Sequence, residues 1–507
     1  MGLAPAPTGA FPLAWVALVP LWILVATGRT KLALCGAIAW GCGYYGVAIF
    51  WITGIHPMTW LGVPWLGSLA IAVACWLLII LWGALFVVLW AIGMILLNRS
   101  KGLWHGPGAR ILTGVALWCG LEALWSAGPL WWTSLSYTQS PGNLAILQLA
   151  KLSGPSAVTA AIAAVNGLAA EFAIARFATV KVPGWATTRN PYTYLAAALA
   201  LIASLHGLGG WIYGLPLSDR DPIQVGIIQG NIPNEIKLFR EGQRRAMQRY
   251  TEGYVRLADL GVDAVLTPEG ALPLLSDQLQ DTPFYSAVAD KGVLVWLGAY
   301  REREATGIEL NYSNSLFSIS GTGEITSYFD KEKLVPLGEY IPFESVLGGI
   351  INRLSPLNAR MLAGNSSQIF ETPLGRAIVG ICYESAFPQH FRRQTLRGGE
   401  FILTASNNAH YSTTMPAQHH AQDVMRAIES DRWAARATNT GYSGVVDSRG
   451  NTLWVSGINT YEVQAATIYR RQTQTPYVRW GDWLTWSAIA IVLANQIAAR
   501  IVVQSSE

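Results

Sequence analysis

The chain has 507 residues, 51% of them apolar and 13% charged, with a formal net charge of +4; ordinary soluble domains carry about a quarter charged residues. This composition excludes a simple soluble globule and a disordered chain, and the scattered Lys and Arg, with no basic run, argue against a nucleic-acid surface. The charges are segregated: residues 1–213 hold 11 of them, 483–507 hold 2 and 214–482 hold 53.

A membrane-spanning helix needs about 20 mostly apolar residues. Such runs lie near 12–28, 32–55, 66–97, 110–127, 153–175, 192–213 and 483–503. The sequence therefore predicts a polytopic helical membrane domain over 1–213 (about six spans), a water-soluble domain over 214–482 and a C-terminal spanning helix over 483–507. The 66–97 run is long enough for one tilted helix, with two short helices as the alternative.

Arg29, Lys31, Arg99, Lys101, Arg110, Arg176, Lys181 and Arg189 fall in alternate connections, whereas 56–65 and 128–150 hold no Lys or Arg. By the positive-inside rule the charged connections are cytoplasmic and the 214–482 domain is outside. Arg470, Arg471 and Arg479 run against this, at the edge of a long translocated domain where charge counts less. Six spans ahead of an outside domain also put the N-terminus outside, unless a further spanning helix precedes residue 1.

The soluble stretch alternates short apolar runs with charged helical ones. Strands are expected at Ile223–Gln229, Ala264–Leu266, Val293–Gly298, Leu316–Ile319, Ala377–Ile381, Phe401–Ala405 and Gly444–Val446, and helices at Glu241–Leu260 and Gln418–Thr438. Short strands without alternation suit sheets covered on both faces. The expected fold is α/β or a layered αββα sandwich. No Gly-x-Gly-x-x-Gly follows a strand, so there is no dinucleotide fingerprint.

Three strand ends carry reactive groups: Glu269 in Thr267-Pro268-Glu269, Lys331 in Tyr328-Phe329-Asp330-Lys331, and Cys382 in Gly380-Ile381-Cys382-Tyr383-Glu384. Cys382 is the only cysteine of the soluble stretch; Cys35, Cys42, Cys75 and Cys119 sit in apolar segments, where Cys is usually a small core residue. A cysteine nucleophile needs a base and a cation or donor for the oxyanion. Carboxylate, ammonium and thiol supply that set. Each alone is weak evidence; the three together, in this order, are strong.

Those segments resemble the carbon–nitrogen hydrolase (nitrilase) superfamily. With Leu334-Val335-Pro336-Leu337-Gly338-Glu339-Tyr340-Ile341-Pro342 and the flanking apolar helices, including Glu122 inside one of them, the resemblance narrows to the apolipoprotein N-acyltransferases. It runs over nearly the whole chain, its soluble part from about Gln229 to Gly441. It implies a multi-pass enzyme of the bacterial inner membrane with an outward, periplasmic nitrilase-like domain. The implied reaction moves an acyl chain from a membrane phospholipid onto a cysteine, then onto the α-amine of a diacylglyceryl-cysteine at a lipoprotein N-terminus. On this resemblance Cys382 is the nucleophile, Glu269 the base and Lys331 the oxyanion cation, with Glu339 orienting Lys331 or the base. Tyr383 and Glu384 would shape the pocket, and Asn314 matches a polar position near the site. The nearby ammonium is expected to lower the thiol pKa. No metal or nucleotide cofactor is implied, and a monomer is expected. The rival enzyme reading is a membrane-tethered amidase using water as acceptor; a non-catalytic binding module is the other.

Two stretches depart from the family pattern: Ile236-Lys237-Leu238-Phe239, where a tryptophan is common, and Asn407-Asn408-Ala409-His410-Tyr411-Ser412. Leu354–Leu362 is either a lipid-facing lid or an ordinary surface loop. His410, His419 and His420 lack an i,i+4 His-Glu metal pattern. Glu122 is open between a functional role and helix packing.

Overall fold

The computed structural model describes every residue except 27, 100–105, 178–189, 305–309, 337, 341–358, 410 and 507. The chain divides into two compact units. One comprises Met1–Ile52, Val73–Leu215 and Arg479–Glu507; the other comprises Thr53–Ala72 and Pro216–Val478. Thr53–Ala72 thus groups with the second unit although apolar helices flank it in sequence.

Among the described residues, three helices are long and apolar enough to cross a membrane: Trp65–Leu97, Pro155–Phe177 and Tyr192–Gly214. The 66–97 run is one continuous helix, Trp65–Arg99, as a proline-free stretch allows. The helices Thr30–Ala48, Pro107–Ala127 and Trp483–Ser506 accompany them. Two expected spans are shorter than their apolar runs. Residues 12–28 form a 3-10 turn, Phe11–Trp15, and an eight-residue helix, Val19–Ala26; Pro20 has no N–H with which to continue a helix from the preceding turn. The 32–55 run ends its helix at Ala48 and continues as the 3-10 segment Phe50–Ile55.

Inside the first unit Glu122 is buried and fully engaged. Its carboxylate accepts from Trp118 Nε1 at 3.2 Å, the Leu135 N–H at 2.9 Å, Ser134 Oγ at 2.7 Å and Thr159 Oγ1 at 2.9 Å. Four donors from two helices and the connecting segment make it a packing hub, which favours the helix-packing reading.

The second unit is built on two sheets. One has the order β13-β1-β2-β3-β4-β5, with β6 also paired to β4; the other has the order β12-β11-β10-β9-β8-β7. In the first sheet β1 (Arg220–Gln229), β2 (Ala264–Leu266) and β3 (Leu294–Arg303) run parallel, β13 (Glu462–Arg470) is antiparallel to β1, and β4 (Leu310–Ile319) is antiparallel to β3 and to β5 (Ile325–Asp330). In the second, β8 (Gly375–Ile381), β9 (Phe401–Ser406) and β10 (Ala434–Thr438) run parallel, flanked by β7 (Phe370–Thr372), β11 (Gly444–Val446) and β12 (Thr452–Val455). The short β6 is Ala359–Met361.

Alternate side chains of the first sheet (Val225, Ile227, Leu266, Trp296, Leu316) meet Val379, Ile381, Leu403 and Ala435 of the second in one core. The opposite face of the first sheet (Ile228, Val265, Val295, Phe317) packs on Ala246, Tyr250, Tyr254 and Leu257 of the helix Arg240–Asp259 and on Phe284 and Val288 of Pro283–Lys291. The helices Pro388–Leu396 and Thr414–Ser430 cover the second sheet. The expected αββα layering is therefore present, and burial on both faces explains why its strands lack alternation.

One expected helix is two elements. The Gln418–Thr438 stretch is helical only to Ser430; Asp431 adopts φ 54° and closes the helix, and β10 follows. Ala434-Ala435-Arg436-Ala437 has a helix-favouring composition, but burial within the second sheet overrides propensity.

Candidate active site

β2, β5 and β8 deliver their three reactive residues at the ends of their strands. Glu269 follows β2 by three residues, Lys331 is the first residue after β5, and Cys382 is the first after β8. Rigid strands fix each Cα, and loops a few residues long leave little freedom to the side chains.

Lys331 is the hub. Its buried Nζ donates to Glu269 Oε1 at 2.8 Å and to Glu339 Oε1 at 2.6 Å. Asn314 Nδ2 donates to the same Glu269 oxygen at 2.8 Å, and the Asn407 N–H donates to Glu269 Oε2 at 2.9 Å. Burial alone would raise Glu269, but the charge and hydrogen bond of Lys331, with Lys237, bring it below the ordinary carboxylate range. Burial raises Glu339, Lys331 opposes the rise, and the facing Glu269 adds to it. Glu339 is anchored from behind, its Oε2 accepting the Val335 N–H at 2.8 Å. Lys331 holds its proton well above the normal lysine value despite burial, because Glu269 and Glu339 both face it.

Cys382 sits at φ 52°, left-handed backbone that a non-glycine residue rarely adopts. This sharp strand-to-helix turn presents its thiol, which donates to the Asn407 carbonyl at 3.8 Å and faces Glu269. The ammonium does not leave a thiolate in the resting site. Burial first, then the Glu269 carboxylate, push the thiol up to about 12, and Lys331 offsets only part of this. The expectation of a lowered thiol pKa fails because burial, and then the Glu269 carboxylate, outweigh the Lys331 ammonium.

The turn is buttressed from behind. Glu384, fully buried, accepts from the Glu332 N–H at 2.6 Å, the Lys333 N–H at 3.0 Å and the Ile381 N–H at 2.7 Å. It thereby ties the loop carrying Lys331 to the Cys382 turn. Tyr383, beside it, packs its ring edge-on against Phe387 at 4.9 Å. His419 lies under the nucleophile: Nε2 donates to the Cys382 carbonyl at 2.7 Å and Nδ1 takes Asn408 Nδ2 at 3.2 Å. Burial first, then Arg436, bring His419 down to about 3, so it stays neutral and keeps that tautomer.

Sequence reasoning missed two contributors. Asn407 joins base and nucleophile through its main chain, which no residue pattern reveals. Lys237, in the segment flagged only as a departure, is buried, and its Nζ donates to the Glu269 carbonyl at 3.1 Å. Gly270, at φ 51°, keeps that corner open: a Cβ there would stand 3.3 Å from the Tyr300 hydroxyl and 3.5 Å from Lys237 Nζ. Gly54 touches the stretch after Asn407, where a Cβ would lie 2.6 Å from the Ser412 main-chain nitrogen. Residues 354–358 of the expected lid, His410, Leu337, Ile341 and Pro342 lie outside the described residues, and Ala359–Met361 pair with β4.

The arrangement has a carboxylate, a buried ammonium bonded to it and a thiol on a strained backbone turn within a single hydrogen-bonded set, which is the equipment for covalent acyl chemistry. Residues 224–477 match the family described as carbon-nitrogen hydrolase, and residues 1–168 match the apolipoprotein N-acyltransferase N-terminal domain. An apolipoprotein N-acyltransferase of Nostoc sp. is 56% identical over 495 residues, covering 96% of this chain and 94% of its own. The chain belongs to the apolipoprotein N-acyltransferase family. Other apolipoprotein N-acyltransferases are similar over comparable lengths: that of Synechocystis sp. is 48% identical over 97% of each chain. That of Thermosynechococcus vestitus is 43% identical over 95% of this chain and 90% of its own. The chain is therefore an N-acyltransferase of the carbon–nitrogen hydrolase superfamily, in a family of bacterial membrane enzymes.

Proposed function

We propose that this acyltransferase works in two steps through a Glu269–Lys331–Cys382 triad. Its acyl donor is a membrane phospholipid and its acceptor the α-amine of an N-terminal diacylglyceryl-cysteine on a lipoprotein. The contact of Lys331 with Glu269, at 2.8 Å beside the strained Cys382 turn, carries the reading.

In the first step Glu269 takes the thiol proton as Sγ attacks the ester carbonyl. The tetrahedral oxyanion forms against the Lys331 ammonium, a kind of stabilisation worth about 10²–10³ in rate. Collapse breaks the C–O bond, Glu269 returns the proton to the leaving alkoxide, and a lysophospholipid departs, leaving the thioester on Cys382. In the second step Glu269 takes a proton from the attacking amine, the C–S bond breaks, and the proton returns to sulfur. A thiol held near 12 loses its proton only as attack proceeds, so general-base catalysis by Glu269 is required at neutral pH.

The charge pattern of the connections favours a domain facing outward, with several spans in the plasma membrane. The test is the intact mass of the purified full chain after incubation with phospholipid, beside Cys382→Ala. An acyl-sized, hydroxylamine-sensitive gain absent from the variant is expected, with discharge onto a diacylglyceryl peptide. Discharge to water alone would instead favour the amidase, and no adduct in either chain would overturn the reading.

A further inference from the structure

The buried charges of the site do not balance within the triad and Glu339. Glu269 and Glu339 bring two carboxylates to one lysine, Lys331, and the thiol is neutral at rest. The cluster behind it closes on its own: Glu332 and Glu384 face Arg393 and His390. Neither His390 nor Arg393 is thus spare for the front of the site. A net charge left in a buried site is costly, and it resolves by one group taking up or losing a proton.

Among the described residues, Lys237 is the remaining buried cation at this corner. It lies on the short helix Asn234–Lys237, and its ammonium donates to the Glu269 carbonyl at 3.1 Å, on the main-chain side of the base. The charges that face it are the Glu269 carboxylate and Cys382, with the Tyr300 hydroxyl beyond Gly270. On its own helix Glu235 is exposed, as are Arg240, Glu241 and Arg244 on the helix packed beside it, so those charges are screened by water.

We infer that Lys237 is a positioning residue whose positive charge balances the second carboxylate, so that Glu269 and Glu339 are both ionised at rest and Glu269 is ready to take the Cys382 proton. This rests on the triad reading above. Burial draws the Lys237 ammonium down to about 8, with Glu269 and Cys382 resisting. Above that pH the site gains one negative charge, and either a carboxylate takes up a proton or the thiolate is disfavoured.

The test is the alkylation rate of Cys382 by iodoacetamide in the detergent-solubilised full chain at pH 7 and pH 9.5, read on the Cys382 peptide. The variants are K237Q, which keeps a donor to the carbonyl without charge, and K237R, which keeps the charge at both pH values. At pH 7, K237Q is expected to react about tenfold more slowly than wild type, with K237R within about threefold of it. At pH 9.5 wild type falls to the K237Q rate while K237R stays faster. K237Q tracking wild type at both pH values overturns the inference, because only the hydrogen bond then matters; so does a wild type that keeps pace with K237R at pH 9.5. That last comparison holds even where K237Q fails to fold. Phospholipid acylation of wild type is measured in parallel. An intact alkylation pattern without any acyl adduct overturns the acyl-transfer reading and leaves the charge assignment standing, whereas acylation with a flat Lys237 series does the reverse.

Discussion

The Asn407 N–H donates to Glu269 Oε2 at 2.9 Å, while the carbonyl of the same residue accepts the Cys382 thiol at 3.8 Å. One residue's main chain therefore sets the distance between base and nucleophile. Its side chain fixes that main chain, with Nδ2 donating to Asn234 Oδ1 at 3.0 Å and Oδ1 accepting from Asn439 Nδ2 at 3.1 Å. Asn407→Ala removes these bonds, and that from the Ala409 N–H, and leaves one N–H of the buried Asn439 amide without its acceptor, a cost of about 1–3 kcal/mol. Single-turnover acylation of Cys382 is expected to slow at least tenfold, because small misplacements of a base are expensive. An unchanged rate would mean the loop holds its course without the side chain.

Glu384→Gln tests the clamp between the two loops. An amide presents one oxygen and one NH2 group where the carboxylate accepts three main-chain N–H bonds, so a donor is set against a donor. A loss of about 2–3 kcal/mol of stability is expected, together with a fall in kcat larger than any change in KM. A variant matching wild type in both would show that the lysine loop does not depend on this tie.

His390 and Glu332 give the unfolding curve a pH window. Burial opposes the rise, but Glu384 and Glu332 hold His390 above its ordinary value. Its stabilisation is complete below about pH 6.5 and is lost as pH climbs through the raised value. Burial would raise Glu332, but His390 and Arg393 hold it at about 2, so its share is present above about pH 4.5 and is lost as pH falls through about 2. The thermal midpoint is expected to be highest between those limits and to decline toward pH 9. His390→Gln should flatten the alkaline decline; an equally steep decline would assign it to other groups.

Glu122→Leu separates packing from chemistry. Four donors would lose their acceptor at once, and a fall of about 3 kcal/mol or more in stability is expected. Cys382 acylation by the folded fraction at low temperature should stay within about threefold of wild type. A much larger loss of rate in a chain that melts normally would give Glu122 a functional part.

Glu269 and Cys382 were legible because each follows an apolar strand, so the hydrophobic pattern that marks the strand also locates the reactive group, whereas Lys331 was legible from the family motif. Glu339 was legible from its motif, and Asn314 from its match to a polar position of the family. Lys237 and Asn407 were not legible, since what they do is set by who faces them across the fold: Asn407 reaches a partner 138 positions away through its main chain. The misread stretch ending at Thr438 failed for a related reason. Ala-rich sequence favours a helix in isolation, and only burial within the second sheet makes β10 a strand.

The grouping of Thr53–Ala72 with the catalytic unit has a consequence for biosynthesis. Gly54 meets the main chain of Ser412, about 360 positions later. At a synthesis rate of about 5–20 residues per second, the early segment waits roughly 20–70 s for its partner to emerge. The second unit is thus completed only once the segment up to Val478 has been made, and cutting the chain before Pro216 yields a fragment that has lost one of its own pieces.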